Sequence, residues 1–151
     1  MTEMLTIAPV TKSVRVACDV ETAFHAFTAD LAAWWPLDTH ARHPGAVREV
    51  VWEEHEGGEV YEISTSGERG HWATVLAWEP PTRLVIAWHV SPDAPAPTEI
   101  EVRISPDGDG ARLDLEHRYW ERLGEPGADT RNGYDTGWDA VLGRFVAHLP
   151  A

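Results

Sequence analysis

Hydrophobic residues between positions 47 and 119 alternate with polar ones in short runs that turn residues separate. A period of two places successive side chains on opposite faces of a strand, so each run is predicted to be a strand with one buried face. The breaks between the runs are short, and the PDGDG segment at 106–110 is typical of a hairpin turn. Because short turns join antiparallel neighbours, we predict a meander of about six strands here.

The sequence on either side of this region has a different period. Residues 13–20 alternate and are predicted to form a first strand, and Asp19 is a candidate N-cap for short helices that follow it. Residues 132–149 carry an apolar stripe at helical spacing. Gly137 and Gly143 weaken this helix in isolation, so it requires a partner surface. The predicted fold is α+β, with a curved antiparallel sheet of six to seven strands around a long C-terminal helix.

The charge balance excludes some classes of partner. The chain carries 25 acidic and 12 basic residues, which gives a formal net charge of −13, and Lys12 is its only lysine. Nucleic acids and anionic membranes are bound by clustered cations, so we expect no nucleic-acid partner and no membrane partner. Neither a signal-peptide pattern nor an apolar run of membrane-spanning length is present in the sequence, and we expect a cytoplasmic protein.

The length predicts a single domain over residues 1–151, with residues 1–12 as an N-terminal tail. The single cysteine excludes an intramolecular disulfide and any metal site built from several cysteines. Asp38, His40 and His43 lie close together in the sequence, but neither helix nor strand spacing aligns them as ligands. We therefore predict a solvated loop at these residues, with no metal and no cofactor.

The alternation also predicts which side chains face the C-terminal helix. On the strand that holds Glu99, Glu101 and Arg103, these three residues are predicted to face water, because the apolar residues alternate with them. The residues predicted to face the helix are Tyr61, Ile63, Trp72, Thr74, Leu76, Trp78, Leu84, Ile86, Trp88, Val90, Ile100, Val102, Ile104, Leu113, Leu115, His117 and Tyr119.

Four stretches resemble a known family in their order along the chain: EGGEVYE, GHWATVLAWEPPTRLVIAW, LDLEHRYWERLG and GYDTGWDAVLGRF. The chain is similar to the heat-shock-protein-90 ATPase activator-like family, within the START-like (SRPBCC) superfamily, from about Val14 to Leu149. This resemblance implies a helix-grip fold that encloses a cavity between the sheet and the helix. It does not imply one function, because carriers, cyclases, hydrolases and co-chaperones share the scaffold.

Bulky aromatic rings on both the sheet and the helix favour a cavity that binds a small hydrophobic or aromatic molecule. Either Trp34 or Trp35 forms the roof of this cavity, or both close the core. His117 anchors a ligand, acts as an acid or base, or is satisfied internally by Tyr119, Tyr134 or a backbone carbonyl. The predicted ligand-binding residues are Trp35, Tyr61, Trp72, Trp88, His117, Tyr134 and Trp138.

Two alternatives to a binding protein stay open. The first is a cyclase- or hydrolase-type enzyme that uses His117, although the sequence offers no nucleophile motif and no paired inward carboxylates. The second is a co-chaperone-like interaction module, which would present an exposed apolar patch. A polar loop at 121–133 is predicted to act as a mobile gate, and a homodimer stays possible.

Overall fold

A computed structural model of the protein describes residues 6–91 and 93–149, and the chain folds as an α+β domain. Seven antiparallel strands form one sheet in the order β1-β7-β6-β5-β4-β3-β2, so that β2 to β7 make a meander and β1 pairs with the last strand. The strands are β1 (Val10–Val16), β2 (Val47–Trp52), β3 (Glu59–Ser64), β4 (Arg69–Glu79), β5 (Arg83–Trp88), β6 (Thr98–Asp107) and β7 (Gly110–Arg118). The helices are α1 (Val20–Thr28), α2 (Leu31–Trp34), a 3₁₀ helix (Trp120–Leu123) and α3 (Gly127–His148).

The first strand begins earlier than its alternation predicts. Val10 pairs with His117 and Val16 with Ala111, so the last three residues of the predicted 1–12 tail belong to β1. The predicted N-cap is present, because the Asp19 carboxylate accepts a hydrogen bond of 2.7 Å from a backbone N–H in the first turn of α1. Residues 1–5 of the predicted tail lie outside the described residues.

The segment predicted as a mobile gate is mostly helical. The 3₁₀ helix follows β7 closely, and Trp120 is buried with its indole N–H donating to the His117 carbonyl at 2.9 Å. The next helix packs directly on this turn, since a Cβ at Gly127 would collide with the Trp120 carbonyl oxygen. The loop prediction for 121–133 is therefore wrong, because a buried tryptophan anchors a stretch that reads as polar.

Two irregularities change the faces predicted for β4. Its pairing with β3 shifts by one residue between His71 and Ala73, at Trp72, and its pairing with β5 shifts by one residue between Val75 and Ala77, at Leu76. Val75 is therefore buried at 1% exposure, whereas Leu76, predicted to face the helix, is 42% exposed. The prediction that Thr74 and Leu76 face the helix is therefore wrong, because a one-residue shift in register reverses the faces of the residues that follow it.

The faces of β3 are the reverse of those predicted. Val60, Glu62 and Ser64 are buried on the concave side of the sheet, and Tyr61 and Ile63 lie on the opposite face. The Arg69 guanidinium stacks on the Tyr61 ring there, 3.7 Å from its centroid. The physical reason is that Glu62 has buried hydrogen-bond partners, which a hydrophobicity pattern does not reveal.

Acidic residues on the outer face of β6 are less solvated than predicted. Glu101 is 8% exposed and accepts hydrogen bonds from Arg83 at 2.8 Å and Arg118 at 2.6 Å. Tyr119, predicted to point inward, follows the end of β7 in a left-handed conformation and is partly exposed. Ionic cross-strand pairs thus cover the convex face, and the apolar core lies on the concave face against α1 and α3.

None of the helices in residues 6–91 and 93–149 is long and apolar enough to span a lipid bilayer. The long helix α3 instead lies along the concave face, with Trp138, Val141, Leu142 and Phe145 buried against the sheet and the short helices. This is the apolar stripe that the helical spacing predicted.

Candidate ligand-binding cavity

A cavity of about 430 Å³ lies between α3, the adjoining ends of β4 and β5, and the segment that follows α2. A volume of this size lies in the range of small-molecule sites. The lining residues are Trp35, Thr39, His40, Ala41, Arg42, Trp72, Trp88, His89, Val90, Thr130, Gly133, Tyr134, Gly137, Trp138 and Val141.

Four tryptophans form the apolar part of the cavity wall. Trp35 is at their centre, with ring centroids 5.4 Å from Trp72, 5.8 Å from Trp88 and 5.9 Å from Trp138. These separations are those of tilted and edge-to-face aromatic pairs, which hold the rings in fixed orientations. The wall is therefore a rigid set of indole surfaces that is suited to flat or hydrophobic molecules.

The two adjacent tryptophans of the sequence have different environments. Trp34 is buried in the core, where its indole N–H donates to the Ala26 carbonyl at 2.8 Å and its ring packs on Phe145. Trp35 lines the cavity, and its N–H donates to the His40 carbonyl at 2.7 Å. The two tryptophans therefore do not both close the core: Trp34 does so, and Trp35 borders the cavity.

Helix α3 contributes two glycines to the cavity wall. Gly133 and Gly137 lie one turn apart, and a Cβ at either position would meet no atom within 4 Å. At the sequence level Gly137 only weakens the helix, since alanine there would be about 1 kcal/mol more favourable. In the structure the missing side chains leave space beside the tryptophans.

A buried carboxylate holds the segment that covers the cavity. Glu62 is fully buried, and it accepts hydrogen bonds from the Arg42 and His43 backbone N–H groups, the His43 ring at 2.7 Å and the Trp72 indole at 2.7 Å. Burial raises the pKa of Glu62, but these hydrogen bonds outweigh it and lower the pKa below its ordinary value. The ionised carboxylate thus ties the covering segment 36–46 to the sheet, a role that the sequence did not suggest.

Arg42 brings a cation to the rim of the aromatic wall. Its Nε donates to the His71 carbonyl at 3.0 Å, and its terminal nitrogens donate to the carbonyls of Val90 and His89. Burial lowers the pKa of Arg42, while Tyr134 and Glu62 raise it. Sequence reasoning missed Arg42, because a lone arginine in a polar loop normally reads as solvated.

Tyr134 and His89 supply the other polar groups near the tryptophans. The Tyr134 hydroxyl accepts a hydrogen bond of 3.0 Å from the Trp88 indole, so its own proton can be donated elsewhere. Burial raises the pKa of Tyr134, which keeps the hydroxyl protonated. Burial, His71 and Arg42 lower the pKa of His89, which also lines the cavity.

His117 lies behind the cavity and does not line it. The Trp138 indole N–H donates to its Nδ1 at 3.1 Å, so the proton must be on Nε2, which donates to the Thr98 hydroxyl at 2.7 Å. The Thr98 hydroxyl in turn donates to the Trp88 carbonyl at 3.2 Å. Burial lowers the pKa of His117 to about 3. The imidazole is therefore a neutral core group with both nitrogens engaged, and it is satisfied by partners other than those predicted.

The cavity brings together five of the seven residues predicted to bind a ligand: Trp35, Trp72, Trp88, Tyr134 and Trp138. Tyr61 is on the opposite face of the sheet and His117 is enclosed, so neither can contact a molecule in the cavity. Among the described residues, no group of three histidine, cysteine or carboxylate side chains is arranged to hold a metal ion.

Comparison with known families matches residues 17–150 to the family described as Activator of Hsp90 ATPase homolog 1-like protein. The chain belongs to this family. The match extends from the start of α1 to beyond α3 and includes every element that surrounds the cavity. A comparison with curated protein sequences finds no significant match.

Solved structures share the fold of this chain. The anthrahydroquino-γ-pyrone synthase Txn09, in complex with a ligand designated SUM, is 32% identical, with a TM-score of 0.66 over 95% of this chain and 98% of that chain. CalU16 from Micromonospora echinospora is 24% identical, with a TM-score of 0.59 over 91% and 75% of the two chains. The Aha1 dimer from Colwellia psychrerythraea is 14% identical, with a TM-score of 0.68 over 93% and 94%.

Proposed function

We propose that this protein binds a small, flat, largely hydrophobic aromatic molecule in the cavity between α3 and the sheet. The observation that carries the proposal is the cluster of Trp35, Trp72, Trp88 and Trp138 around about 430 Å³ of space. Burial of apolar ligand surface against these rings would supply about 25 cal/mol per Å² of affinity. Face and edge contacts between aromatic rings add to this and favour planar ligands over flexible chains.

The likeness to Txn09 supports a polycyclic aromatic ligand. That protein is a synthase of an anthrahydroquino-γ-pyrone, and its 32% identity to this chain extends over nearly the whole of both proteins. Fused rings of this kind are flat and rigid, and they would lose little conformational entropy on entering a preformed cavity. We therefore propose an anthraquinone-like or related fused-ring molecule as the ligand class.

The test is a titration of the protein with anthraquinone-2-carboxylate, in which binding is measured by quenching of tryptophan fluorescence and by calorimetry. Palmitate serves as a flexible hydrophobic comparison. We expect saturable binding of the anthraquinone at micromolar concentration and weaker binding of palmitate, since the indole wall is rigid. Absence of saturable anthraquinone binding would overturn the proposal.

A pair of glycine variants shows whether the ligand occupies this cavity. Gly137→Ala adds a methyl group beside the tryptophans, whereas Gly143→Ala adds the same group on an exposed part of α3 away from the cavity. Both variants should gain up to about 1 kcal/mol in free energy of unfolding. Only Gly137→Ala should weaken anthraquinone binding, by about tenfold, because the added volume narrows the cavity. Equal affinities in the two variants would place the ligand elsewhere.

The likeness to a synthase also favours a second candidate, an enzyme that forms rings in a ligand of the same class. The acid–base role predicted for His117 does not serve this candidate, because both of its nitrogens are engaged and it does not line the cavity. Proton transfer would fall to groups at the cavity such as Tyr134, whose hydroxyl accepts a hydrogen bond from the Trp88 indole. Mass spectrometry of an aromatic precursor after incubation distinguishes turnover from binding alone.

The interaction-module alternative receives less support. The large hydrophobic residues that are exposed in the described part of the chain are Leu76 on β4, Tyr119 after β7 and Val146 on α3. They lie on separate elements, whereas a docking surface needs a contiguous patch. The homodimer stays a prediction, for which the dimeric Aha1 neighbour gives a precedent of fold only.

A further inference from the structure

The guanidinium of Arg42 has hydrogen-bonding capacity that the protein does not use. Arginine carries five N–H donors, and backbone carbonyls accept from the Nε and once from each terminal nitrogen. Within residues 6–91 and 93–149, neither of the remaining N–H groups has an acceptor. Arg42 lines the cavity, so these donors lie at the edge of the aromatic wall.

The Arg42 guanidinium also forms no ion pair in the described part of the chain. Arg83 and Arg118 on the convex face each contact carboxylates at 2.8 Å or less, as expected in a strongly acidic chain. By contrast, no carboxylate oxygen in the described part of the chain lies within 4 Å of the Arg42 guanidinium, and Glu62 accepts from its backbone N–H instead. A partly buried cation without a counterion is costly unless a ligand supplies the negative charge.

A second donor faces the same space. The Tyr134 hydroxyl accepts from Trp88, which leaves its proton without an acceptor among the described residues. Tyr134 raises the pKa of Arg42, and Arg42 lowers that of Tyr134, which is the mutual effect expected of a cation near a phenol. His40 and His89 also line the cavity, and burial and Arg42 together favour the neutral form of His89. One end of the cavity is therefore rich in donors and carries positive charge.

We infer that the cavity holds its aromatic ligand by an anionic oxygen, a carboxylate or a phenolate, bound between the Arg42 guanidinium and the Tyr134 hydroxyl. The inference rests on the proposed function and specifies the chemistry of the ligand. The tryptophans bind the ring system, and the two donors fix which end of the ligand points towards the covering segment. Charge-assisted bonds of this type are roughly twice as strong as neutral ones, so they would select acidic ligands over neutral ones of the same shape.

The test compares two probes that share one ring system, anthraquinone-2-carboxylate and the neutral anthraquinone-2-carboxamide. We expect the protein to bind the carboxylate about tenfold more tightly, as a charge-assisted bond in a partly buried site would give. Equal affinity for the two probes would overturn the inference while leaving the proposed function intact. If neither probe binds, the proposed function fails, and the inference fails with it.

Two conservative variants assign the preference to the named groups. Tyr134→Phe removes only the hydroxyl, and Arg42→Lys keeps the charge but loses the planar fork. Each should reduce the ratio of carboxylate to carboxamide affinity to about threefold or less while the carboxamide still binds. The control is Tyr61→Phe, the same chemical change on the opposite face of the sheet, which should leave the ratio unchanged. A loss of both probes in equal proportion would show that Arg42 and Tyr134 only support the fold, and would overturn the inference.

Discussion

The concave side of the sheet has two aromatic regions that differ in what covers them. At one end, Phe27 of α1 packs with Trp34 and Phe145 at ring-centroid distances of 5.1–5.5 Å, and all three rings are buried. At the other end, Trp35 and its three indole neighbours surround a cavity. The ring separations in the two regions overlap, at 5.1–5.5 Å and 5.4–5.9 Å, so aromatic packing alone does not distinguish a core from a binding site.

The difference lies in the covering elements. Helix α1 inserts bulky side chains into the filled end, whereas the open end is covered by segment 36–46, which consists of turns and bends, and by a part of α3 that carries Gly133 and Gly137. A cavity therefore forms where the lid contributes backbone and hydrogen bonds in place of large side chains. The comparison predicts that substitutions at the filled end affect stability, while those at the open end affect binding.

The largest contrast is expected between the two adjacent tryptophans. Trp34→Ala leaves a hole in the filled end and should lower the free energy of unfolding by about 4 kcal/mol. Trp35→Ala only enlarges an existing cavity, so it should cost markedly less stability but abolish most anthraquinone binding. Urea denaturation and fluorescence titration measure the two effects. Similar losses of stability in both variants would remove the distinction between the regions.

The cover of the open end is expected to depend on the buried carboxylate. Glu62→Gln replaces an oxygen acceptor by an amide that faces N–H donors, and it should lower the free energy of unfolding by about 3 kcal/mol. Glu68→Gln is the matched control, because Glu68 contacts the same His43 ring at 3.3 Å but is largely exposed. The control should cost about 0.5 kcal/mol or less. If Glu62→Gln is equally mild, segment 36–46 is held by other contacts.

A smaller effect is expected from the buried His117 behind the cavity, which makes the stability of the fold depend on pH. The folded-state pKa of His117, about 3, lies well below that of an unfolded histidine, so the unfolded chain binds the proton first as the pH falls. The proton bound only by the unfolded chain has no effect above about pH 6.5, and it lowers the free energy of unfolding progressively between pH 6.5 and 3. Between pH 7 and pH 5 the protein should lose about 2 kcal/mol through this residue.

His117→Gln provides the comparison for this prediction. The variant lacks the titrating group, so its free energy of unfolding should change less between pH 7 and pH 5 than that of the wild type. Other groups, including His43, whose pKa Glu62 raises, titrate in both proteins and cancel in the difference. Urea denaturation at the two pH values measures the change in the free energy of unfolding of each protein. The same pH dependence in both proteins would mean that His117 is not held neutral by burial.

Local patterns in the sequence predicted most of the fold. Alternation between 47 and 119 predicted the six strands of the meander, and Asp19 was correctly identified as an N-cap. The errors fall where a tertiary contact overrides the local pattern. The register shift at Trp72 reversed the faces of Thr74 and Val75 on β4, and the buried Trp120 held the segment 121–133 in helical turns instead of a loop.

The candidate site was only partly accessible to the same reasoning. The hydrophobic periodicity predicted that Trp72, Trp88 and Trp138 lie between the sheet and α3, because strand and helix periods assign a side chain to a face. They did not identify Glu62 or Arg42, since polar residues in a strand and a loop are normally solvated and only their buried partners indicate a role.

The sequence by itself determined the strands of the meander, the long helix and the inward position of Trp72, Trp88 and Trp138, because period and polarity act over a few neighbouring residues. Only the tertiary structure decided that Trp34 fills the core while Trp35 borders a cavity. It also decided that Gly133 and Gly137 of α3 face that space. Space between elements depends on side chains that are distant in the sequence, and whether they meet or leave a gap follows from how the whole chain packs.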